Sequence, residues 1–223
     1  IIQTRDAIKL ERVSSEGQKN GLEIKTVLRF LNAERVGEFA PVVDGLFALC
    51  VDGGRPIAAI SIYPWDGNIC HELDSLAREP KFQFVYPSGR IWRPTGSNVS
   101  FRPIHDAKPP ADNASRRGLQ IRQLARRFTA YLEGFNDDDS DRQVLRRLSK
   151  PLYRYQAELS EDQSGTFDGA VIAFVQGNDP EVLLLIEAIR NGSKTDWEYC
   201  FIRASAARLS GSLDQVSVWS GRK

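Results

Sequence analysis

Short apolar stretches bounded by turn residues recur along the chain, and this pattern is typical of β-strands rather than of long helices. In the first half, strands are predicted over residues 22–30, 45–51, 57–63 and 69–77, and 45–51 and 57–63 are apolar and rich in β-branched side chains. The Asp52-Gly53-Gly54-Arg55 loop between two of these stretches carries the glycines that a hairpin turn needs. The pattern predicts a β-hairpin followed by a third long strand.

The second half has the same plan. Strands are predicted over residues 144–155, 170–175, 182–189, 197–204 and 216–219. Because the turns between consecutive strands are short, neighbouring strands should pair in an antiparallel meander.

Several features recur in the same order in both halves. Each half has an arginine between two apolar residues, an Asp-Gly pair, a proline after the hairpin turn and a closing tryptophan. In the first and second halves these are Arg29 and Arg154, Asp44-Gly45 and Asp168-Gly169, Pro56 and Pro180, and Trp92 and Trp219. The offset grows only from 168 − 44 = 124 to 219 − 92 = 127 residues. An ordered series of this kind predicts an internal duplication.

One amphipathic helix is predicted between the two halves, over residues 114–133. Its apolar residues recur at helical spacing and form one stripe: Ile121, Leu124, Ala125, Phe128, Tyr131 and Leu132. Asp112 or Asn113 is in position to cap the start of this helix, and Gly134 to end it. The stripe should pack on the sheet and contact both copies.

These patterns together predict a mainly β (α+β) fold. Two tandem antiparallel β-meander repeats are expected to be related by a pseudo-two-fold axis, with the linking helix packed on the sheet. The predicted organisation is one compact domain over 1–223, with repeat 1 over 22–93, a linker over 94–143 and repeat 2 over 144–219.

The charge balance argues against a strongly charged partner for the whole protein. Thirty Lys and Arg residues face 29 Asp and Glu residues, so the net charge is +1. Such a chain has no global field that would attract nucleic acid or an acidic membrane. No apolar run approaches the roughly 20 residues that a membrane-spanning helix requires, and a soluble protein is expected.

The helix also carries five arginines beside its apolar stripe: Arg116, Arg117, Arg122, Arg126 and Arg127. Nucleic-acid binding would place these on phosphates. The alternative is a solvated helix whose arginine stems cover the edge of the core. We favour the alternative, because the net charge is near zero and no aromatic residues alternate with the arginines.

Metal and disulfide sites have weak signals. Asp137, Asp139 and Asp141 alternate as the first ligands of a calcium loop do. However, Arg142 stands where that loop needs Gly, and Leu148 where it needs Glu, so a solvated loop is favoured.

Cys50, Cys70 and Cys200 are too few for a disulfide framework. Buried thiols are expected, with one bridge between Cys50 and Cys70 left open.

Catalytic residue types are sparse, and the only histidines are His71 and His105. Neither has the three or four convergent ligands of a zinc site or the partners of a hydrolytic triad. No phosphate-binding or dinucleotide-binding glycine loop is present in the sequence, and no cofactor is predicted. A hydrolase remains the alternative, with His71, Asp74, His105 and Asp106 as its acid/base residues.

Two charged residues per half lie within apolar strands, where a lone buried charge is strongly disfavoured. Arg29 is therefore expected to pair with Glu72, and Arg154 with Glu198, each as a guanidinium on a carboxylate. The functional alternative is that the two glutamates face each other across the pseudo-axis as an acid/base pair.

Four segments carry a resemblance to a group of uncharacterised proteins of planctomycete bacteria. They are residues 46–56 (LFALCVDGGRP), 124–128 (LARRF), 150–155 (KPLYRY) and 168–177 (DGAVIAFVQG). The resemblance implies a bacterial origin with export from the cytoplasm. With structural residues repeated and catalytic types scattered, the expected function is a non-catalytic binding or interaction protein of the cell envelope, acting on an unknown ligand or protein partner.

Overall fold

The protein is described by a computed structural model covering residues 9–12, 22–32, 43–65, 68–79, 81–94, 99–134, 142–157 and 164–221. The chain divides into two compact units, unit 1 over Ile1–Val99 and unit 2 over Ser100–Lys223. The predicted boundaries differ from this division, because much of the predicted linker over 94–143 consists of helix and strands of unit 2. A core shared by both copies stays a prediction.

Unit 1 is built from antiparallel strands in two sheets. Its strands are β1 (Lys9–Arg12), β2 (Leu22–Asn32), β3 (Val43–Asp52), β4 (Arg55–Trp65), β5 (Asn68–Ser75), β6 (Phe82–Val85) and β7 (Ile91–Trp92). The larger sheet has the order β2-β3-β4-β5, and the smaller one the order β1-β6-β7. The mainly β, antiparallel fold that the pattern predicts is confirmed.

The core of unit 1 joins these two sheets. Alternate residues of β3 and β4, such as Leu46, Ile60 and Ile62, are buried together with Phe82 and Phe84 of β6. Side chains alternate between the two faces of a strand, so the even-numbered residues of β3 and β4 supply one continuous apolar face. Trp92 packs on this core, with its ring 5.6 Å from that of Phe84.

Unit 2 contains one helix and a second pair of sheets. Its elements are β8 (Arg102–Pro103), α1 (Ala114–Ala125), β9 (Phe128–Leu132), β10 (Gln143–Val144), β11 (Arg146–Arg147), β12 (Tyr153–Gln156), β13 (Gly165–Gln176), β14 (Asp179–Asn191), β15 (Lys194–Arg203), β16 (Leu209–Leu213) and β17 (Val216–Gly221). The larger sheet has the order β11-β13-β14-β15-β8, with β12 also paired to β13, and the smaller has the order β10-β9-β16-β17.

The core of unit 2 lies under helix α1. Ile121, Leu124 and Ala125 of the helix are buried with Phe174 and Phe201 of the larger sheet. The side chain of Asn113 accepts a hydrogen bond from the backbone N–H of Arg116, which caps the helix start as predicted. The packing of the apolar stripe therefore fixes the helix against this sheet.

The predicted helix over 114–133 is too long, because it ends at Ala125. Residues Phe128–Leu132 form β9 instead, which pairs with β16 and β10. Phe128, Ala130 and Leu132 alternate as in a strand, while Phe128 and Leu132 also have helical spacing, so the apolar pattern fits both structures. Backbone pairing with β16 on one side and β10 on the other makes this segment a strand. Phe128 is still buried in the core, 4.8 Å from the ring of Tyr199.

The β3–β4 hairpin of unit 1 and the β13–β14 hairpin of unit 2 have matching strand registers. Leu46 pairs with Ile62 in unit 1, and Ala170, which is 170 − 46 = 124 residues later, pairs with Ile186 in unit 2. Each hairpin has an irregularity at the same place, between Cys50 and Val51 and between Phe174 and Val175. Matching registers are what an internal duplication requires; the pseudo-two-fold axis itself stays a prediction.

An aromatic ring covers a glycine of the neighbouring strand in both units. Phe30 pairs with Gly45, and Tyr155 pairs with Gly169. A Cβ atom added to Gly45 would lie 2.2 Å from the Phe30 ring, and one added to Gly169 would lie 2.4 Å from the Tyr155 ring. The predicted Asp-Gly pairs therefore mark places where only glycine leaves room for the ring.

The hairpin between β16 and β17 has a strained turn. Leu213 pairs with Val216, and Asp214 and Gln215 between them have positive φ angles of 48° and 68°. This two-residue turn favours Asn-Gly or Asp-Gly, since a side chain on its second residue is disfavoured there. Arg127 braces the turn, because its Nε and Nη2 donate to the Asp214 carboxylate at 3.1 and 2.6 Å.

Candidate functional site

A buried carboxylate between two arginines lies where α1 meets β12 and β13. Asp168 is fully buried, and its Oδ2 accepts a hydrogen bond of 2.6 Å from Arg117 Nε. Its Oδ1 accepts from Arg154, from Nε at 2.9 Å and also from Nη2. The two guanidiniums bring two positive charges to one negative charge, so this cluster keeps an excess of positive charge.

The backbone positions both arginines of this cluster. Arg117 also donates from Nη1 to the carbonyl oxygens of Ala111 and Asp112, at 2.9 and 2.8 Å, which fixes its side chain beside the helix start. Arg154 lies against Gly118, where an added Cβ would be 2.6 Å from Arg154 Nη1. Gly118 therefore lets the Arg154 side chain pass directly over the helix.

A second pair of arginines consists of Arg126, at the C-terminal end of α1, and Arg147 of β11. Arg147 of β11 pairs with Phe174, a member of the core under α1, so its side chain leaves the sheet on the helix side. Its Nη1 atom is buried, and no acceptor among the described residues reaches it. Burial and, secondly, repulsion from the nearby Arg126 lower the pKa of Arg147. The Arg126 charge thus acts on a guanidinium that has a buried donor without a described acceptor.

The four arginines along this junction form what we call the arginine seam: Arg122, Arg126, Arg147 and Arg154. Gly118, Arg122 and Arg126 follow each other at intervals of four residues, so they lie in one row on the helix. The row begins at Arg154, which contacts Gly118, and ends near Arg147. Asp168 offsets one of the two positive charges at the Arg154 end, whereas no ion pair with Arg126 or Arg147 is found in the described part of the chain.

Glu187 occupies the opposite face of the same sheet. It is fully buried, with Oε1 accepting from the Tyr155 hydroxyl at 2.6 Å and Oε2 from the Thr166 hydroxyl at 2.9 Å. Glu187 also pairs in register with Glu198 of β15, so the two carboxylates lie side by side on this face. Because both oxygens of Glu187 accept hydrogen bonds from neighbouring side chains, its contacts are those of a residue that stabilises the fold.

The predicted ion pairs are wrong. Arg29 is exposed on β2, and Glu72 lies on β5, at the other edge of the four-stranded sheet, so β3 and β4 separate the two by about 14 Å. Glu72 instead accepts a hydrogen bond of 3.0 Å from the Tyr63 hydroxyl. In unit 2, Arg154 binds Asp168, and Glu198 lies three strands away from it on β15.

Glu72 and Glu198 are also not equivalent in the two hairpins. Glu72 pairs with Ser61, whereas Glu198 pairs with Glu187, which corresponds to Tyr63 at the 124-residue offset. The β14–β15 hairpin of unit 2 extends to the pair Asn191 and Lys194, whereas the β4–β5 hairpin of unit 1 ends at Trp65 and Asn68. At the 124-residue offset, each strand of the unit 2 hairpin is two residues longer at its turn. This difference in length shifts the predicted alignment by two residues on the last strand.

The proposed hydrolase residues belong to both units. His71 is exposed on β5, 4.9 Å from the Tyr86 ring, and partial burial and then Arg90 lower its pKa. Asp74 is three residues further on, so it points to the opposite face of that strand. His105 and Asp106 are exposed in the loop before α1 of unit 2. Neither unit holds both histidines, and the hydrolase hypothesis stays a prediction.

Three weaker predictions concern the calcium ligands, the possible disulfide and a membrane span. The candidate calcium ligands Asp137, Asp139 and Asp141 lie outside the described residues, and the residues that are described hold no cluster of three or more potential metal ligands. Cys50 and Cys70 are free thiols, on strands that β4 separates, too far apart for a disulfide. None of the helices in the described ranges is long and apolar enough to cross a membrane.

Sequence reasoning missed Asp168 and Arg147 as site residues. Asp168 was visible only as part of a repeated Asp-Gly pair, although it directly precedes an apolar strand core where a charge needs a partner. Arg147 lies in Leu145-Arg146-Arg147-Leu148, where alternation puts one of the two arginines on the core side. That alternation is the signal that could have identified it.

Comparison with protein-family models, curated proteins and solved structures finds no match to this chain. The resemblance to planctomycete proteins, and the export that it implies, therefore stay predictions.

Proposed function

We propose that this chain is a non-catalytic binding protein that recognises an anionic group at the Arg126 end of the arginine seam. The observation that carries the proposal is the Arg147 guanidinium, whose buried Nη1 no described acceptor reaches. The positive charge of Arg126 also acts on it. Two adjacent positive charges repel each other, and a buried donor without an acceptor costs about 1–3 kcal/mol. An anion bound at Arg147 Nη1 supplies the missing acceptor and offsets the repulsion from Arg126.

Arginine is suited to this role. Its planar guanidinium stays charged and offers parallel N–H donors that match the oxygens of a phosphate or carboxylate. The core side of β11 holds Arg147 in place, and Arg126 is the C-cap residue of α1. Because β11 and α1 are both anchored in the core of unit 2, the backbone positions from which the two arginines extend are fixed before binding.

Titration calorimetry with inorganic phosphate at low ionic strength tests the proposal. We expect saturable binding that weakens by about tenfold or more in Arg147→Gln and in Arg126→Gln, equivalent to at least about 1.4 kcal/mol. Arg116→Gln is the matched control, since Arg116 is exposed on the other flank of the same helix. Unfolding curves would show whether each variant is folded.

Three results would contradict the proposal. One is the absence of phosphate binding to the unmodified protein, and a second is an equal loss in Arg116→Gln. The third is turnover of an ester, phosphate or glycoside substrate that a single substitution abolishes, since that would make the protein an enzyme.

The cell-envelope location is a further part of the proposal and depends on the planctomycete resemblance. Fractionation of the native bacterium, with an antibody against this chain, should find the protein outside the cytoplasm. Recovery with cytoplasmic markers would refute this location without affecting the binding site.

A further inference from the structure

Two segments of unit 2 carry many cations and no carboxylate. Residues 113–132 contain five arginines, and residues 142–157 contain four arginines and one lysine, with no Asp or Glu in either segment. Three carboxylates from elsewhere neutralise part of this charge: Asp168 on Arg117 and Arg154, Asp214 on Arg127, and Glu133 on Arg142. Three of the cations that these carboxylates leave are Arg122, Arg126 and Arg147 of the arginine seam.

The seam is longer than one small anion. From Gly118 to Arg126 the helix advances eight residues, or about 12 Å at 1.5 Å per residue. Arg122 lies between these two positions, in the same row and exposed. A single phosphate between Arg126 and Arg147 therefore leaves Arg122, one helical turn away, without an anionic partner.

We infer that the ligand of the seam is a linear chain of phosphate groups that runs along α1 from Arg147 toward Arg154. The inference rests on the proposed anion site and extends it to a ligand class. Each further phosphate meets another guanidinium of the row, so binding should strengthen with chain length. A flexible chain can follow the row because the arginine side chains are long and adapt to it.

The placement of the aromatic rings favours phosphate chains over nucleic acid. Proteins that bind single-stranded nucleic acid stack its bases on aromatic side chains in a positively charged groove. Here, Tyr155 lies on the opposite face of the sheet, bound to Glu187. Phe167 is buried, with Arg117 and Arg190 over its ring at 5.2 and 5.4 Å. The side chains that the seam presents are guanidiniums, which recognise charge.

Binding of monophosphate, pyrophosphate, tripolyphosphate and long-chain polyphosphate to the full chain tests the inference. We expect affinity to rise about tenfold or more from monophosphate to the long chain. The logarithm of the affinity for the long chain should fall with that of the salt concentration with a slope near −3, from about 0.7 per phosphate for four contacts. Arg122→Gln should reduce this slope by about 0.7.

The variants separate this inference from the proposed function. Arg122→Gln should weaken long-chain binding while monophosphate binding stays within about twofold, because Arg122 lies outside the Arg126 and Arg147 pair. Equal affinity for monophosphate and long chains would overturn the inference and leave the anion site intact. Loss of all phosphate binding would overturn both. An oligonucleotide that binds more tightly than polyphosphate of equal charge would refute the choice of ligand.

Discussion

Replacing Asp168 with Asn removes the carboxylate that binds the largely buried guanidiniums of Arg117 and Arg154. Three N–H donors lose a charged acceptor: Arg117 Nε at 2.6 Å, Arg154 Nε at 2.9 Å and Arg154 Nη2. Each hydrogen bond to a charged group is worth about 1.5–3 kcal/mol. The Arg117 side chain is only 12% exposed and cannot regain water, whereas Arg154 is 29% exposed and recovers part of its solvation.

The expected loss of unfolding free energy is therefore about 3–5 kcal/mol, the range for breaking a buried ion pair by removing one partner. For a protein of this length, that loss lowers Tm by about 6–20 °C. Urea unfolding followed by tryptophan fluorescence reports on unit 2 in a background where Trp65 and Trp92 of unit 1 are replaced by Phe, which leaves Trp197 and Trp219 as the fluorophores. Asp196→Asn is the matched control, because Asp196 pairs with Lys194 at the surface and should cost under about 1 kcal/mol. A loss in Asp168→Asn no larger than that of the control would refute the reasoning.

Four further substitutions test other parts of unit 2, each by equilibrium unfolding. Phe128→Ala should cost roughly 3–5 kcal/mol, as for other buried aromatic side chains, and a loss under about 1 kcal/mol would contradict its place in the core. Gly169→Ala should cost about 1–3 kcal/mol, since the new Cβ collides with the ring on the neighbouring strand; an unchanged midpoint would contradict this overlap. Gln215→Gly should stabilise by about 0.5–1 kcal/mol, because it relieves a positive φ, and a loss would show that the turn is not strained. Hydrogen bonding to Arg127 lowers the pKa of Asp214, so the stability that this pair contributes is present above the ordinary Asp pKa and is lost as pH falls through the lowered value. Asp214→Asn should therefore flatten the acid side of the stability curve, and an unchanged curve would refute the coupling.

The strands and turns of the fold could be predicted because they depend on local sequence. Alternating apolar residues and the glycines near position 53 determine where strands and hairpin turns form. The region over 128–132 could not be predicted in the same way. Its side chains satisfy helical and strand spacing together, and the choice depends on pairing with β16, which lies about 80 residues later in the sequence.

The candidate site was less predictable than the fold, because charged contacts depend on which strands are neighbours. Arg154 has an apolar setting in the sequence that correctly indicates a need for a partner. Its partner is Asp168, on the adjacent strand, and not Glu198, which lies two strands further across the sheet. Arg147 and Arg126 are more difficult still, since their proximity arises from the packing of α1 on the sheet, and a single sequence does not encode that distance in any local pattern.

The two units have the same hairpin framework and differ in the chemistry that it carries. Unit 1 places the Phe30 ring on Gly45, and unit 2 places the Tyr155 ring on Gly169. The hydroxyl that distinguishes Tyr155 from Phe30 donates to the buried Glu187, so this contact includes a polar network in unit 2. The buried charges and the arginine seam are also in unit 2. The polar groups of that network satisfy one another, so it is the buried Arg147 Nη1, which no described acceptor reaches, that assigns the proposed anion site to unit 2.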